Sequence, residues 1–278
     1  HHVCLIIGVS KMSNISFFPP LAFYLLAGCY NIVSFIRHRD TIFSAALGLA
    51  SAGFVFHSLH LLSNGMERGM FPLSGRQDAL MFLAWTLALA FILIGFRFRI
   101  IALGVCLLPL VLLSLSSSIL FTESPAQDIL NSRLFYFHTT FLFLAYAAFV
   151  AGSIFAVLYL LQERELKSRK LRLFYNRLPS LSILDTLFAN SMLSGLVLMT
   201  AGLAAGLYWA EKEWEDGWIT DPKVVSAIIT WLIYLLLTSI RAFTGWRGKR
   251  MALITLAGFL SLLLTFWIAS LLGGRHVF

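Results

Sequence analysis

Residues 208–234 read YWAEKEWEDGWITDPKVVSAIITWLIY, and the change of character inside this stretch decides the fold. Positions 208–225 crowd in three tryptophans, five acids and one proline. From 223 the run to 241 is apolar and reaches the length of about 20 residues that a helix needs to cross a bilayer. Asp221 before Pro222 marks the junction. An aspartate side chain accepts from the free N–H groups of a first helical turn. Proline is tolerated there because its missing N–H would have had no partner. The sequence therefore predicts a polar loop that hands over to a membrane helix capped by Asp221, with Pro222 and Lys223 in its first turn.

The same alternation repeats along the chain. Its 278 residues are 59% hydrophobic and 12% charged, with a mean hydropathy of +0.84. A soluble domain of this size needs far more polar surface. Eight segments are long and apolar enough to span, at about 17–36, 41–62, 79–97, 100–120, 136–161, 187–210, 223–241 and 252–271. The expected fold class is all-α: a polytopic integral membrane protein of about eight transmembrane helices, forming a single domain over 12–278. Residues 1–11, HHVCLIIGVSK, precede a methionine. Met12 is the expected natural start, with 1–11 an upstream remnant.

Charge placement sets the orientation. With the N-terminus outside, the inner loops hold 14 of the 21 lysines and arginines, most densely in ERELKSRKLRLFYNR (163–177). Most acids, including Glu211, Glu213, Glu215, Asp216 and Asp221, then fall outside. This is the positive-inside asymmetry, and it puts both termini and the 208–225 loop on the outer side. The net charge of +8 is accounted for by topology, so the expected surroundings are a lipid bilayer and not nucleic acid. Cys4, Cys29 and Cys106 form no CxxC pair and receive no redox role.

The histidines gather on the outer side too. His57 and His60 lie three apart toward the outer end of span two, on one helical face. His138 opens span five and His276 stands three residues from the end. Tryptophans at a membrane interface are by default belt residues, and single interfacial histidines are by default amphipathic anchors. Flat aromatics together with imidazoles are also what a haem requires: a stackable apolar surface and axial nitrogen ligands. The chain has no HExxH, no GxxxxGK[ST] and no outer Ser-His-Asp cluster. It has no CxxCH either, so it is not itself a c-type cytochrome.

The run WAEKEWEDGWITDPKVVSAIITWLIY (209–234) resembles the tryptophan-rich outer loop, WAxxxWGxxWxWDPKExW, of the CcsA/ResC/HemX-like cytochrome c assembly membrane proteins. Trp209, Trp214, Trp218, Asp221, Pro222, Lys223 and Trp231 fall on the motif without a gap. FPLSGRQDALMFLAW (71–85), FHTTFLFLAYAAFVAGSIFAVLYLLQER (137–164), LPSLSILDTLFANSMLSGLVLMTAGLAAG (178–206) and LLGGRHVF (271–278) resemble other parts of the family. The likeness covers the chain from about residue 45 onward.

That resemblance implies haem handling at the outer face. His138 and His276 match the two histidines that flank the loop and ligate haem iron. His57 is the nearest counterpart of a further histidine within an early span. The implied cofactor is a b-type, non-covalent, transiently held haem; charge sign and location alone suggest Lys223 or Arg275 as the partner of its propionates. The implied task is presentation of haem to an apocytochrome c beside a CcsB/ResB-like membrane partner, in a bacterial (or plastid-like) cytoplasmic membrane. An assembly factor or part of a haem lyase complex is expected, more than a stand-alone enzyme. Thr220, Val224, Ser226 and Ser239 depart from the family's Trp, Glu, Trp and His. These departures point toward the eight-span HemX-like branch. The alternative function is therefore an accessory or regulatory protein of tetrapyrrole metabolism acting through the inner loop 163–177. A transporter is disfavoured, since no span carries a charged pair at its middle.

Overall fold

The computed structural model describes the backbone of residues 2–69, 73, 75–121, 132–168, 177–213 and 218–272, with side chains between Ser16 and Thr265 within those ranges. Every regular element among them is helical. The α-helices are α1 (His2–Arg37), α2 (Asp40–Arg68), α3 (Arg76–Phe98), α4 (Ile101–Ser117), α5 (Arg133–Ser168), α6 (Leu181–Glu213), α7 (Pro222–Thr244) and α8 (Lys249–Leu272). Short 3-10 turns follow α4 at Ser118–Leu120 and precede α7 at Trp218–Thr220. The stretches from α1 to α7 are each long and apolar enough to cross a membrane, and α8 has 24 residues. Each expected span thus has its helix, and the chain is an all-α polytopic membrane protein. At 1.5 Å per residue α5 and α6 reach about 50 Å, well beyond a hydrocarbon core roughly 30 Å thick. Their charged ends, such as Glu163 to Lys167 and Glu211 to Glu213, stand clear of it.

The helices group into two compact units, 1–131 and 132–278. In the first, α1 packs on α2 and α4, and α3 on α4 and α2. Lipid tails are as apolar as leucine, so helices in a membrane associate through close approach and polar contacts more than through burial of grease. Both devices are present. The Asn31 amide of α1 donates to the Ile101 carbonyl at 3.1 Å. Its other end fits a notch on α4, where a Cβ on Gly104 would stand 2.6 Å from Asn31 Oδ1. Trp85 Nε1 donates to Ser58 Oγ at 2.8 Å, joining α3 to α2. Arg68 and Asp78 pair at 3.0 Å across the α2–α3 connection.

In the second unit, α5 and α6 run antiparallel along a seam of glycines. A Cβ on Gly195 would enter the ring of Phe149, one on Gly202 would press on Leu142, and one on Gly206 would collide with His138. Trp209 closes the series against Phe135, ring centroids 5.2 Å apart. Seven, four and three residues up α6 thus match seven, four and three residues down α5. Those are the spacings that keep positions on one face of a helix. The GLAAG run at 202–206 is a GxxxG motif, the small-residue pattern that lets membrane helices touch backbone to backbone.

At the opposite end of this unit a polar clamp ties three helix ends. Asp185, early in α6, accepts from Arg241 Nη2 at 2.7 Å, near the end of α7. The same carboxylate accepts from the Gly248 backbone N–H at 2.7 Å, just ahead of α8. Between seam and clamp, Tyr234 of α7 stacks on Phe149 with centroids 3.6 Å apart.

Candidate functional site

His138 is the candidate residue whose surroundings are most fully built. It stands in the second turn of α5, half-buried against α6, in the space that Gly206 leaves open. Its Nδ1 lies 2.8 Å from the Gly202 carbonyl oxygen. A carbonyl can only accept, so Nδ1 carries the proton and donates. In a neutral imidazole the other nitrogen, Nε2, then keeps its lone pair. This is how metal-ligating histidines are commonly oriented: one ring N–H is held by a carbonyl or carboxylate, which fixes the tautomer and the ring plane. Nε2 itself has no hydrogen-bond partner among the described residues.

The two histidines of α2 differ in the same respect. His60 uses both nitrogens, Nδ1 against Ser16 Oγ at 2.7 Å and Nε2 against Asn64 Nδ2 at 3.3 Å. His57 is wholly buried, with its Nδ1 3.4 Å from the Tyr24 hydroxyl and its Nε2 without a partner. Of this pair, His57 is the one with an uncommitted nitrogen.

The tryptophan-rich stretch is not one loop. α6 continues to Glu213, so its first six residues complete that helix, while 222–225 begin α7. Trp209 therefore lies on a helix, 1% exposed and packed on Phe135. It supports the end of the α5–α6 pair from within. Trp218 is half-buried in the 3-10 turn that leads to α7. Trp214 and His276 lie outside the described residues. Of the two histidines expected to act as axial ligands, only His138 is thus placed.

Asp221 does what its neighbours suggested. Its Oδ1 accepts from the Lys223 N–H at 2.9 Å, and Pro222 occupies the first helical position. Its own N–H donates to the Trp218 carbonyl at 3.1 Å, and its carbonyl accepts from the Val225 N–H at 3.0 Å. One residue thus closes the 3-10 turn and opens the helix. Removing an N-cap acceptor costs about 1 kcal/mol. Asp221→Ala should lower the thermal midpoint in detergent accordingly, whereas Asp221→Asn, which keeps an acceptor, should recover most of the loss. Equal losses in both variants would mean that the charge matters and the cap does not.

Among the positions that depart from the motif, Ser226 turns its hydroxyl back to the Lys223 carbonyl at 2.9 Å, and Ser239 is half-buried late in α7. Trp231, which keeps the motif residue, donates from Nε1 to Thr200 Oγ1 at 2.8 Å and joins α7 to α6. Gly202, Gly206 and Thr200 are supporting residues that a search for chemically able side chains passes over. The spacing of Gly195, Gly202 and Gly206 was the signal available for finding them.

Comparison with known proteins places these features in a family. The sequence profile of the family described as "Cytochrome C assembly protein" matches residues 73–276. A protein of Prochlorococcus marinus subsp. pastoris called cytochrome c biogenesis protein CcsA is 30% identical over 248 residues, covering 80% of this chain and 79% of that protein. The protein of the same name from Prochlorococcus marinus strain MIT 9301 is 31% identical over 245 residues, covering 79% of each. One from Guillardia theta is 29% identical over 233 residues, covering 76% of this chain and 77% of that protein.

Proposed function

The chain belongs to the cytochrome c assembly protein family and is a multi-pass membrane protein of cytochrome c biogenesis, and from that premise we propose that it holds haem on one side of the membrane and presents it to an apocytochrome c. The observation that carries the reading is the hydrogen bond from His138 Nδ1 to the Gly202 carbonyl. In the neutral imidazole it makes Nε2 the nitrogen with the lone pair, so the donor suits haem iron. Haem, when bound, supplies the iron that takes up this lone pair and the porphyrin edge that reacts with a CxxCH segment. His138 is the axial ligand in this reading, and Gly202 and Gly206 are its positioning residues. His276 is the second axial ligand, as the resemblance implies. Trp214 and Trp218 would offer aromatic surface to the porphyrin, and Trp209 braces the end of α6 against Phe135. Lys223, in the first turn of α7, pairs a propionate. The haem is b-type and non-covalently held, and a CcsB/ResB-like membrane protein supplies the rest of the machinery. In this reading the end of the second unit that carries His138 and Asp221 faces the outside of a bacterial or plastid-like membrane, an orientation that the charge asymmetry supports. His57, with its uncommitted Nε2, is a further haem-contacting residue within the membrane.

The relatives all carry cytochrome c biogenesis names, which does not favour an accessory role in tetrapyrrole metabolism. Absorption spectra of the detergent-purified protein test the proposal directly. The parent should show a Soret band, and His138→Ala and His276→Ala should each lose it. A parent without a Soret band after haem is added would sink the haem reading. A band retained at full height in either variant would overturn that ligand assignment.

A further inference from the structure

The first unit ends, at one pole, in an arginine cluster that the haem reading does not use. The α1–α2 turn brings Arg37 and Arg39, and the α3–α4 turn brings Arg97 and Arg99, all exposed. The α3–α4 turn is tied to the start of α2, because Arg99 Nη2 donates to Ser44 Oγ at 2.9 Å, and Ser44 Oγ in turn donates to the Asp40 carbonyl at 3.1 Å. None of the four arginines has a carboxylate within ion-pair distance among the described residues. Each turn also contains a non-glycine residue in the left-handed region, His38 at φ 52° and Arg99 at φ 51°. Such a conformation is uncommon for these side chains and persists where the surrounding structure imposes it.

Between the start of α2 and the end of α3 lies a cavity of about 260 Å³ lined by Ser44, Leu47, Phe96 and Arg99. Its rim is cationic and hydroxylic, and its floor is apolar. Leu47 is set into that floor because Gly95 leaves room for it. Phe96 and Leu93 continue the apolar surface along α3, exposed by 64% and 61%. On a helix classed as a membrane span, such residues face acyl chains. A free anion would use the rim and gain nothing from the floor. A phospholipid would use both.

We propose that this cavity is a binding site for the phosphate group of an anionic phospholipid, held by Arg99, whose guanidinium Ser44 positions, with an acyl chain laid over Phe96 and Leu93. Arg37, Arg39 and Arg97 raise the local positive potential and draw the headgroup in. Basic pockets between helices at a membrane surface are a recurring means of holding such lipids. The proposal is independent of haem binding and of which face of the membrane this pole occupies.

The test uses the full-length protein, delipidated in neutral detergent. Thermal midpoints and lipid retention by native mass spectrometry are measured in micelles doped with phosphatidylglycerol, with phosphatidylcholine, or with inorganic phosphate at equal concentration. Phosphatidylglycerol should stabilise and be retained, and the other two should not. Arg99→Asn removes the charge while keeping a residue that tolerates the left-handed region. A basic residue near a membrane surface contributes on the order of 1 kcal/mol, so this variant should weaken retention about fivefold. Ser44→Ala, which removes the acceptor that positions Arg99, should weaken it in the same direction. Arg164→Asn, an exposed arginine of α5, is the control for loss of charge in general and should stay at the parent's level. Equal effects of phosphate and phosphatidylglycerol would overturn the lipid assignment. Equal losses in the Arg99 and Arg164 variants, or none in either the Arg99 or the Ser44 variant, would overturn the site.

Discussion

Gly206→Ala is expected to unseat His138 and to take the Soret band with it. The added methyl would fall on Nδ1 and Cε1 of the imidazole. Backing the helices apart would withdraw Leu142 and Phe149 from the notches at Gly202 and Gly195 and lose that packing. Overpacking of this kind costs typically about 1–3 kcal/mol. Here the strain also falls on the hydrogen bond that fixes the ring tautomer. The variant should therefore approach His138→Ala in haem occupancy while its thermal midpoint drops, although no ligand has been removed. Gly48→Ala is the matched control, since nothing lies within 4 Å of its Cβ position. It should be neutral, or stabilise by up to about 1 kcal/mol through helix propensity. A full Soret band in Gly206→Ala would show that His138 does not depend on that seat.

The second large effect is expected at the clamp. Asp185→Ala removes the acceptor shared by Arg241 and the Gly248 N–H. Breaking a buried pair from one side costs roughly 3–5 kcal/mol. The two side chains are 13% and 22% exposed, so solvent softens the loss and about 2–3 kcal/mol is the expected figure. Adding Arg241→Ala should cost little more, because its partner is already gone. The double-mutant cycle in detergent should then show strong coupling between the two positions. Additive losses would mean that each residue acts through other contacts, and that the three helix ends are held together by packing alone.

The eight spans were legible because a run of about 20 apolar residues is a one-dimensional signal. The Asp221 cap was legible for a similar reason, as cap, proline and first turn are neighbours in sequence. Trp209 was read as part of a loop. Its place on α6 follows from Phe135, 74 residues earlier, which packs on it and prolongs the helix. His57 and His60 were assigned to one face correctly. What separates them is the partners that α1 and α2 supply, Ser16, Tyr24 and Asn64, and spacing alone holds no record of these. The clamp escaped notice altogether. Arg241 counted as one more basic residue of a loop, and nothing local to it points to Asp185, 56 positions away. His138 was named from its position and from the resemblance, while the carbonyl that sets its tautomer lies on another helix.

The glycine seam between α5 and α6 also behaves as a vernier. Its notches recur only at whole-turn intervals, and one turn of helix is about 5.4 Å. A slide of smaller amplitude would drive Phe149, Leu142 and His138 into the opposite backbone together. The intervals of seven and four residues do not superimpose under a one-turn slide, so no such step reseats all three side chains on glycines, and the pair holds its register.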